Sequence, residues 1–260
     1  MKVHLLITYR REELLPASLM VFKTIRKAFP NAEIEAQINI ASDADPKLDS
    51  EPIWQAAAEV GIWMGAEDIK TIHHAWILER LENSDEPFWI CDTDIQFHGL
   101  VEDWDFGDAP IAGRFIPRFF DKFTNCITQP RLHTSLMRFN PERIREEAER
   151  YFAQFPKTPF NHRPNMIYPM FHPVREGITV KNYFYDTCSM LYHAIGGACF
   201  QSSQLELYDH LNFGTISDVV APHYPNHPIR ASHFLAFDQP ETMRGSWRRD
   251  EEFYQAHAVT

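Results

Sequence analysis

An apolar run that ends in two aspartates, Phe88-Trp89-Ile90-Cys91-Asp92-Thr93-Asp94-Ile95, is the most informative segment of this sequence. The apolar residues predict a buried strand. Side chains alternate between the faces of an extended strand, so Asp92 and Asp94 are predicted to point the same way, about 7 Å apart. Acidic side chains are rarely buried without a partner, and carboxylate oxygens suit Mg²⁺ or Mn²⁺. The segment therefore predicts a divalent-cation site; the alternative is a turn in which both aspartates meet water.

The composition is that of a soluble globular protein. The chain has 260 residues, 44% of them hydrophobic and 23% charged, which is enough for one large α/β domain. The net charge of -11 argues against a protein held mainly by nucleic-acid phosphates. Four cysteines without a C-x-x-C pair predict reduced thiols and a cytoplasmic location. We expect no signal peptide and no membrane span, because the apolar runs are too short.

The pattern before the two aspartates predicts a parallel sheet. Residues 3–8 form a predicted buried strand, and residues 15–29 show helical spacing of apolar side chains. Residues 32–41 alternate between apolar and polar, which predicts a strand near a sheet edge. This strand–helix–strand order implies a right-handed parallel crossover. A short strand at 62–64 and a helix over 67–82, with Trp76 inward, then lead to the acidic segment.

The second half predicts further strands, two helices and a long loop. Strands are expected near 110–115 and 132–139, and a helix from Pro141 to about Phe155. Residues 156–180 carry five prolines and show no periodicity. They predict an ordered loop, which is either a binding segment or a packed surface excursion. A helix is expected over 186–194, and residues 208–213 are expected to pack in the interior.

The order of these parts resembles the GT-A class of nucleotide-sugar glycosyltransferases, with an Asp-x-Asp at the end of a strand near residue 100. The resemblance implies an α/β, Rossmann-like fold with a central, mostly parallel mixed sheet flanked by helices. It implies a single domain over 1–260, with a nucleotide-binding half (1–100) and an acceptor-binding half (101–260). It further implies a metal-dependent enzyme that moves a sugar from a nucleoside-diphosphate sugar, with UDP favoured, to an acceptor.

The resemblance also implies roles in the first half. Asp92 would approach the ribose and the metal, and Asp94 would bind the metal directly. The metal, Mn²⁺ or Mg²⁺, would stabilise charge on the leaving nucleotide. The residues implied around the base and ribose follow the first two strands or belong to the helix before the acidic strand: Thr8, Tyr9, Arg10, Asp43, Lys70 and His73.

In the second half, the stretch from Leu132 to Met137 resembles the small polar segment that contacts the sugar donor, although its usual glycine is absent. By this resemblance Thr134 would bind the donor and Ser135 would be catalytic. Asp186 resembles a late acidic residue that contacts the acceptor or serves as catalytic base. The alternative for Asp186 is a helix N-cap.

Two residues near the end of the chain complete the implied site. His233, in Ser232-His233-Phe234, resembles the histidine that completes the metal site in a galactosyltransferase-like family, with His223 as the second choice. Imidazole is an acceptable ligand for Mn²⁺. Arg244, or else Arg248, would pair with the diphosphate.

Two other functions use the same pattern. A phosphatase of the haloacid dehalogenase type also places Asp-x-Asp after an apolar strand, but it has Thr or Val where this chain has Gln96. A nucleotide-sugar-binding protein without turnover would keep the fold and lose catalysis. The acceptor is left open among a small metabolite, a glycan, a protein and modified DNA, the last disfavoured by the acidic charge.

Overall fold

The computed structural model describes residues 1–9, 15–40, 49–65, 73–121, 125–154, 174, 177–210 and 244–259. Its strands are β1 (Lys2–Tyr9), β2 (Glu33–Ile40), β3 (Trp63–Met64), β4 (Phe88–Asp92), β5 (Ile95–Phe97), β6 (Ile111–Ile116), β7 (Phe119–Asp121), β8 (Cys126–Thr128), β9 (Arg131–Phe139), β10 (Ile178–Val180), β11 (Tyr183–Tyr185), β12 (Ala198–Cys199) and β13 (Tyr208–His210). Its helices are α1 (Leu15–Ala28), α2 (Glu51–Glu59), α3 (His73–Asn83), α4 (Pro141–Ala153), α5 (Ser189–Ile195), α6 (Ser202–Leu205) and α7 (Ser246–Ala256).

The main sheet has seven strands in the order β12-β6-β9-β4-β1-β2-β3. β1 is parallel to β2, as the strand–helix–strand order predicted. β2 is parallel to the edge strand β3, so it lies near the sheet edge, as the alternating pattern of 32–41 predicted. β12 also runs parallel to β6, whereas β6 and β9 are antiparallel. The predicted fold class, a mostly parallel mixed sheet flanked by helices, is therefore confirmed.

The chain divides into two compact units by its internal packing. The first comprises Met1–Thr71, Cys91–Trp104 and Gln201–Ala256. The second comprises Ile72–Ile90, Asp105–Phe200 and His257–Thr260. The predicted assignment of nucleotide binding to 1–100 and acceptor binding to 101–260 stays a prediction.

In the first unit, α1 supports the segment that follows the two aspartates. The Phe97 N–H in β5 donates a hydrogen bond to Thr24 Oγ1 (3.0 Å), and the Phe29 and Phe97 rings meet edge to face at 5.7 Å. Arg26, a polar residue on the apolar stripe of α1, donates to the carbonyl oxygens of Val60, Ala32 and Gly61. These contacts fix α1 against the turn after α2, so β5 rests on a well-anchored helix.

In the second unit, the core forms around β9. The Phe88 and Phe139 rings are stacked at 5.4 Å, and both side chains are fully buried. A separate small sheet has the order β10-β11-β8-β7, and none of its strands was predicted. α5 begins at Ser189 rather than at Asp186, and Cys188 occupies its N-cap position in the left-handed conformation.

None of the helices in the described ranges combines the length and the apolar character that a membrane span requires. Of the predicted loop at 156–180, only Val174 and the residues from Gly177 onward fall within the described ranges.

Candidate metal centre

The two aspartates follow a fully buried strand. Phe88, Trp89, Ile90 and Cys91 are each about 1% exposed, which the apolar run predicted. β4 ends at Asp92, and the chain bends through Thr93 and Asp94 before β5 begins. The prediction that both aspartates lie along one extended strand is therefore wrong. The bend, rather than the alternation of a strand, brings the two carboxylates to the same place.

A histidine that is distant from the two aspartates along the chain, His210, is the third member of the group of potential metal ligands. β13 pairs antiparallel with β5, with His210 opposite Ile95, the residue after Asp94. His210 Nε2 lies 3.3 Å from Asp94 Oδ1. One ligand atom from each of Asp92, Asp94 and His210 lies within 4.8 Å of the other two. Three potential metal ligands thus converge, two of them, Asp94 and His210, buried.

The electrostatics of this group favour a cation. Burial by itself would lower the pKa of His210, but the carboxylate of Asp94, followed by those of Asp92 and Asp250, outweighs burial and raises it. The neighbouring thiol shows the same negative field: burial, and then the charges of Asp92 and Asp94, raise the pKa of Cys91 well above its ordinary value. In the metal-free protein the carboxylates thus stabilise the protonated form of His210 relative to the neutral form.

The chemistry of the ligands fits a divalent cation. Two carboxylates and one imidazole match the oxygen and nitrogen ligands that Mn²⁺ accepts, and the carboxylates also suit Mg²⁺. Burial of Asp94 beside a second carboxylate would be costly without a compensating positive charge. The residues present therefore fit the predicted metal, with His210 as the third ligand.

His210 was not among the predicted ligands. The segment 208–213 was expected only to pack, yet Asp209 and His210 within it are polar residues that the structure buries completely or almost completely. Two consecutive ionisable residues in an apolar segment were the available signal. His223 and His233 lie outside the described residues, so their proposed role as ligands stays a prediction.

Two of the predicted nucleotide-binding residues, Thr8 and Tyr9, lie at the carboxyl end of β1. The structure describes only their backbone. Arg10, Asp43 and Lys70 lie outside the described residues. His73 is the first residue of α3, and its ring lies 6.3 Å from that of Trp76.

The predicted residues of the second unit have defined partners. Thr134 and Ser135 are buried in β9, and Ser135 Oγ lies 2.8 Å from His133 Nδ1. Asp186 pairs with Arg131 (Oδ2 to Nη2, 2.6 Å) and accepts a hydrogen bond from the Thr187 N–H. Asp186 is not the N-cap of α5, because Cys188 occupies that position.

Arg244 is exposed and lies two residues before α7. Among the described residues, the group that could share a metal ion contains only Asp92, Asp94 and His210. The roles predicted for Thr134, Ser135, Asp186 and Arg244 stay predictions.

Comparisons with known proteins found similar solved structures but no similar sequence. No family model and no curated protein matches the sequence. Solved structures that resemble the chain include the galactosyltransferase LgtC in complex with donor and acceptor sugar analogues, at 11% identity and a TM-score of 0.41, over 100% of this chain and 97% of LgtC. LgtC is a glycosyltransferase, the class of enzyme that the sequence was expected to resemble.

Two further resemblances are shorter. The bifunctional glycosyltransferase WbbM matches at 14% identity and a TM-score of 0.35, over 58% of this chain but only 33% of WbbM. A mannosyltransferase from Pyrobaculum calidifontis, solved with GDP-mannose and Mn²⁺, matches at 16% identity and a TM-score of 0.34, over 57% of this chain and 46% of that protein. With such identities and TM-scores, the functional assignment depends on the metal centre itself.

Proposed function

We propose that this protein is a metal-dependent glycosyltransferase that moves a sugar from a nucleoside-diphosphate sugar to an acceptor. The observation that supports it most directly is the convergence of Asp92, Asp94 and His210 within 4.8 Å at the end of a buried strand. Two of the three groups, Asp94 and His210, are buried, and two carboxylates with an imidazole at this spacing are ligands that Mn²⁺ accepts.

The bound cation would supply Lewis-acid stabilisation of the diphosphate that leaves as the sugar is transferred. The protein's part is to hold the cation and to orient the nucleotide. Asp94 and His210 hold it from buried positions, whereas Asp92 is less buried and is the carboxylate better placed to contact the ribose as well. We propose Mn²⁺ or Mg²⁺ as the ion.

The nucleotide would bind at the carboxyl ends of β1 and β2. These strands are parallel, and the last residues of each, Tyr9 and Ile40, are directly paired. Ligands of open α/β sheets bind outside the carboxyl ends of the strands. Thr8 and Tyr9, which end β1, are proposed to contribute to the base and ribose pocket, and the roles expected of Arg10, Asp43, Lys70 and His73 stay predictions. We favour UDP as the nucleotide.

Asp186 is the proposed acceptor-contacting residue of the second unit. Its side chain is 32% exposed, so it can reach a ligand from solvent, and the ion pair with Arg131 fixes its orientation. Thr134 and Ser135 are proposed to contact the donor sugar, and Arg244 the diphosphate.

The first test is thermal unfolding with UDP, GDP, CDP, ADP and TDP, each with and without Mn²⁺. A ligand that binds only the native state raises its melting temperature by mass action. We expect one diphosphate to raise the melting temperature, and only when Mn²⁺ is present. If none of them does so in the presence of Mn²⁺, the nucleotide-sugar assignment is wrong.

Turnover separates the alternatives that share this site. A glycosyltransferase releases the nucleoside diphosphate from the matching donor sugar, slowly to water and faster with an acceptor. Metal-dependent nucleotide binding without release, across a broad acceptor panel, would indicate a binding protein instead. Release of phosphate from simple phosphomonoesters, with trapping of a phosphorylated Asp92, would indicate the phosphatase.

A further inference from the structure

Asp209, the residue before the ligand His210, has no exposed surface. Successive side chains of a strand point to opposite faces, so the Asp209 carboxylate leaves β13 on the face opposite to the His210 imidazole. Asp209 is accordingly absent from the group of potential metal ligands. A buried carboxylate is costly unless its oxygens accept hydrogen bonds. The partners of Asp209 therefore indicate what this residue holds in place.

Both oxygens of Asp209 have a partner. Oδ2 lies 2.6 Å from His98 Nε2, which is within hydrogen-bond distance. Oδ1 accepts a hydrogen bond from the Ser246 N–H at 2.8 Å. Ser246 Oγ in turn accepts from the His210 N–H at 3.2 Å. The contacts form a closed path from the Asp209 side chain, through Ser246, back to the backbone of the next residue in β13.

This path joins three separate parts of the first unit. His98 follows β5, the strand that begins directly after Asp94, and His210 lies in β13, which pairs with β5. Ser246 is the first residue of α7, where backbone N–H groups have no partner within the helix. A carboxylate at that position satisfies one of these groups and interacts favourably with the helix dipole. Asp209 thus fixes the start of α7 against the paired strands β5 and β13, of which β5 follows directly after Asp94 and β13 carries His210.

We propose that Asp209 is a positioning residue for the metal ligand His210, acting through Ser246 and His98 without contact to the ion. This inference rests on the metal centre of the proposed function. β5 holds the backbone of His210 on one side of β13, and Ser246 Oγ holds it on the other. Loss of the second restraint frees the imidazole to move relative to Asp94, and the affinity for the metal falls.

The central test is Asp209→Asn, which keeps the shape of the side chain. An amide offers one oxygen, so it can accept from Ser246 or from His98 but not from both. Free Mn²⁺ is measured by electron paramagnetic resonance in titrations of the purified, folded, nucleotide-free protein. We expect the dissociation constant for Mn²⁺ to rise about 10- to 100-fold, the range for residues that orient metal ligands.

A second pair of variants isolates the path through Ser246. Ser246→Ala removes Oγ but keeps the backbone N–H that Asp209 binds, so Mn²⁺ affinity should fall while the start of α7 is retained. Ser246→Thr keeps a hydroxyl and should restore most of the affinity. Arg145→Gln is the control for a loss of stability, because it removes hydrogen bonds to the carbonyl oxygens of Leu81 and Ser84 in the second unit, outside this path. It should lower the melting temperature and leave Mn²⁺ affinity unchanged.

The outcomes separate this inference from the proposed function. Wild-type protein that does not bind Mn²⁺ refutes the metal centre, and the role of Asp209 with it. If the wild type binds Mn²⁺ and folded Asp209→Asn binds it with equal affinity, the positioning role of Asp209 is refuted but the metal centre is not. If Asp209→Asn does not fold, Ser246→Ala decides: weaker Mn²⁺ binding that Ser246→Thr restores supports the role, and unchanged binding overturns it.

Discussion

Asp94→Asn is the sharpest perturbation of the metal centre. It removes one of two negative ligands and keeps almost the same shape at a buried position. For carboxylate oxygens no more than 4.8 Å apart, the relieved repulsion from Asp92 is at least about 1 kcal/mol at an effective dielectric constant of 80 and at least about 3.5 kcal/mol at 20. The substitution also weakens the attraction to His210, whose Nε2 lies 3.3 Å from Asp94 Oδ1, and this loss destabilises the fold. We therefore expect the metal-free variant to stay folded.

The effect on metal binding should be large by comparison. At a Mn²⁺ concentration of about 100 times the dissociation constant, binding stabilises the native wild type by about 2.7 kcal/mol. For a chain of this size, that raises the melting temperature by roughly 5–11 °C. A variant whose affinity is about 100-fold weaker gains only about 0.4 kcal/mol at the same concentration, or roughly 1–2 °C.

The assay is thermal unfolding with and without Mn²⁺, for wild type, Asp94→Asn and the charge-matched control Asp103→Asn. Asp103 is exposed and lies outside the metal centre, so its variant should keep the wild-type response. An equal Mn²⁺-induced shift in wild type and Asp94→Asn would refute the assignment of Asp94 as a ligand. The same experiment on Asp92→Asn and His210→Ala tests the other two ligands.

Three further predictions concern stability and reactivity. Phe139→Ala should lower the free energy of unfolding by about 3–5 kcal/mol in urea titrations, because it leaves a cavity beside Phe88 in the core. Gly197→Ala should cost about 1–3 kcal/mol in the same titrations, since the added methyl group would lie 2.7 Å from Ile111 Cγ1 and 2.9 Å from the Ile111 carbonyl oxygen. Burial raises the pKa of the exposed Cys199 thiol, and its hydrogen bond with Tyr192 lowers it, so Tyr192→Phe should raise that pKa further. Alkylation of Cys199 at pH 8, followed by mass spectrometry, should therefore be slower in Tyr192→Phe; a faster reaction would contradict the stated effect of the hydrogen bond.

Patterns that repeat along the chain predicted the larger elements well. The helical spacing of apolar residues gave α1, and the strict alternation of residues 32–41 gave β2 and its place near a sheet edge. These patterns are informative because burial of one face imposes a period of 3.6 or 2 residues on the sequence itself. The apolar run before Asp92 predicted β4 for a different reason, because a strand that is buried on both faces carries consecutive apolar residues instead of an alternating pattern.

The short elements followed no such pattern. β5 and β13 have three residues each, too few for a period to be visible, and each is stabilised by pairing with the other. The pairing of β5 with β13 joins segments that are distant along the chain, and no local sequence pattern indicates it. The third potential metal ligand, His210, lies in β13. The sequence pattern therefore did not indicate it, and it favoured the later histidines His223 and His233 instead.

The sequence by itself determined the fold class and the position of the acidic segment, because burial of a strand that ends in Asp92 is a local property. The tertiary structure decided two further features. A bend, and not an extended strand, brings Asp92 and Asp94 together, and antiparallel pairing of β5 with β13 places His210 beside them. The ligands of a metal centre must lie close together in space. Which residues form the set therefore depends on hydrogen bonds between segments that are distant along the chain.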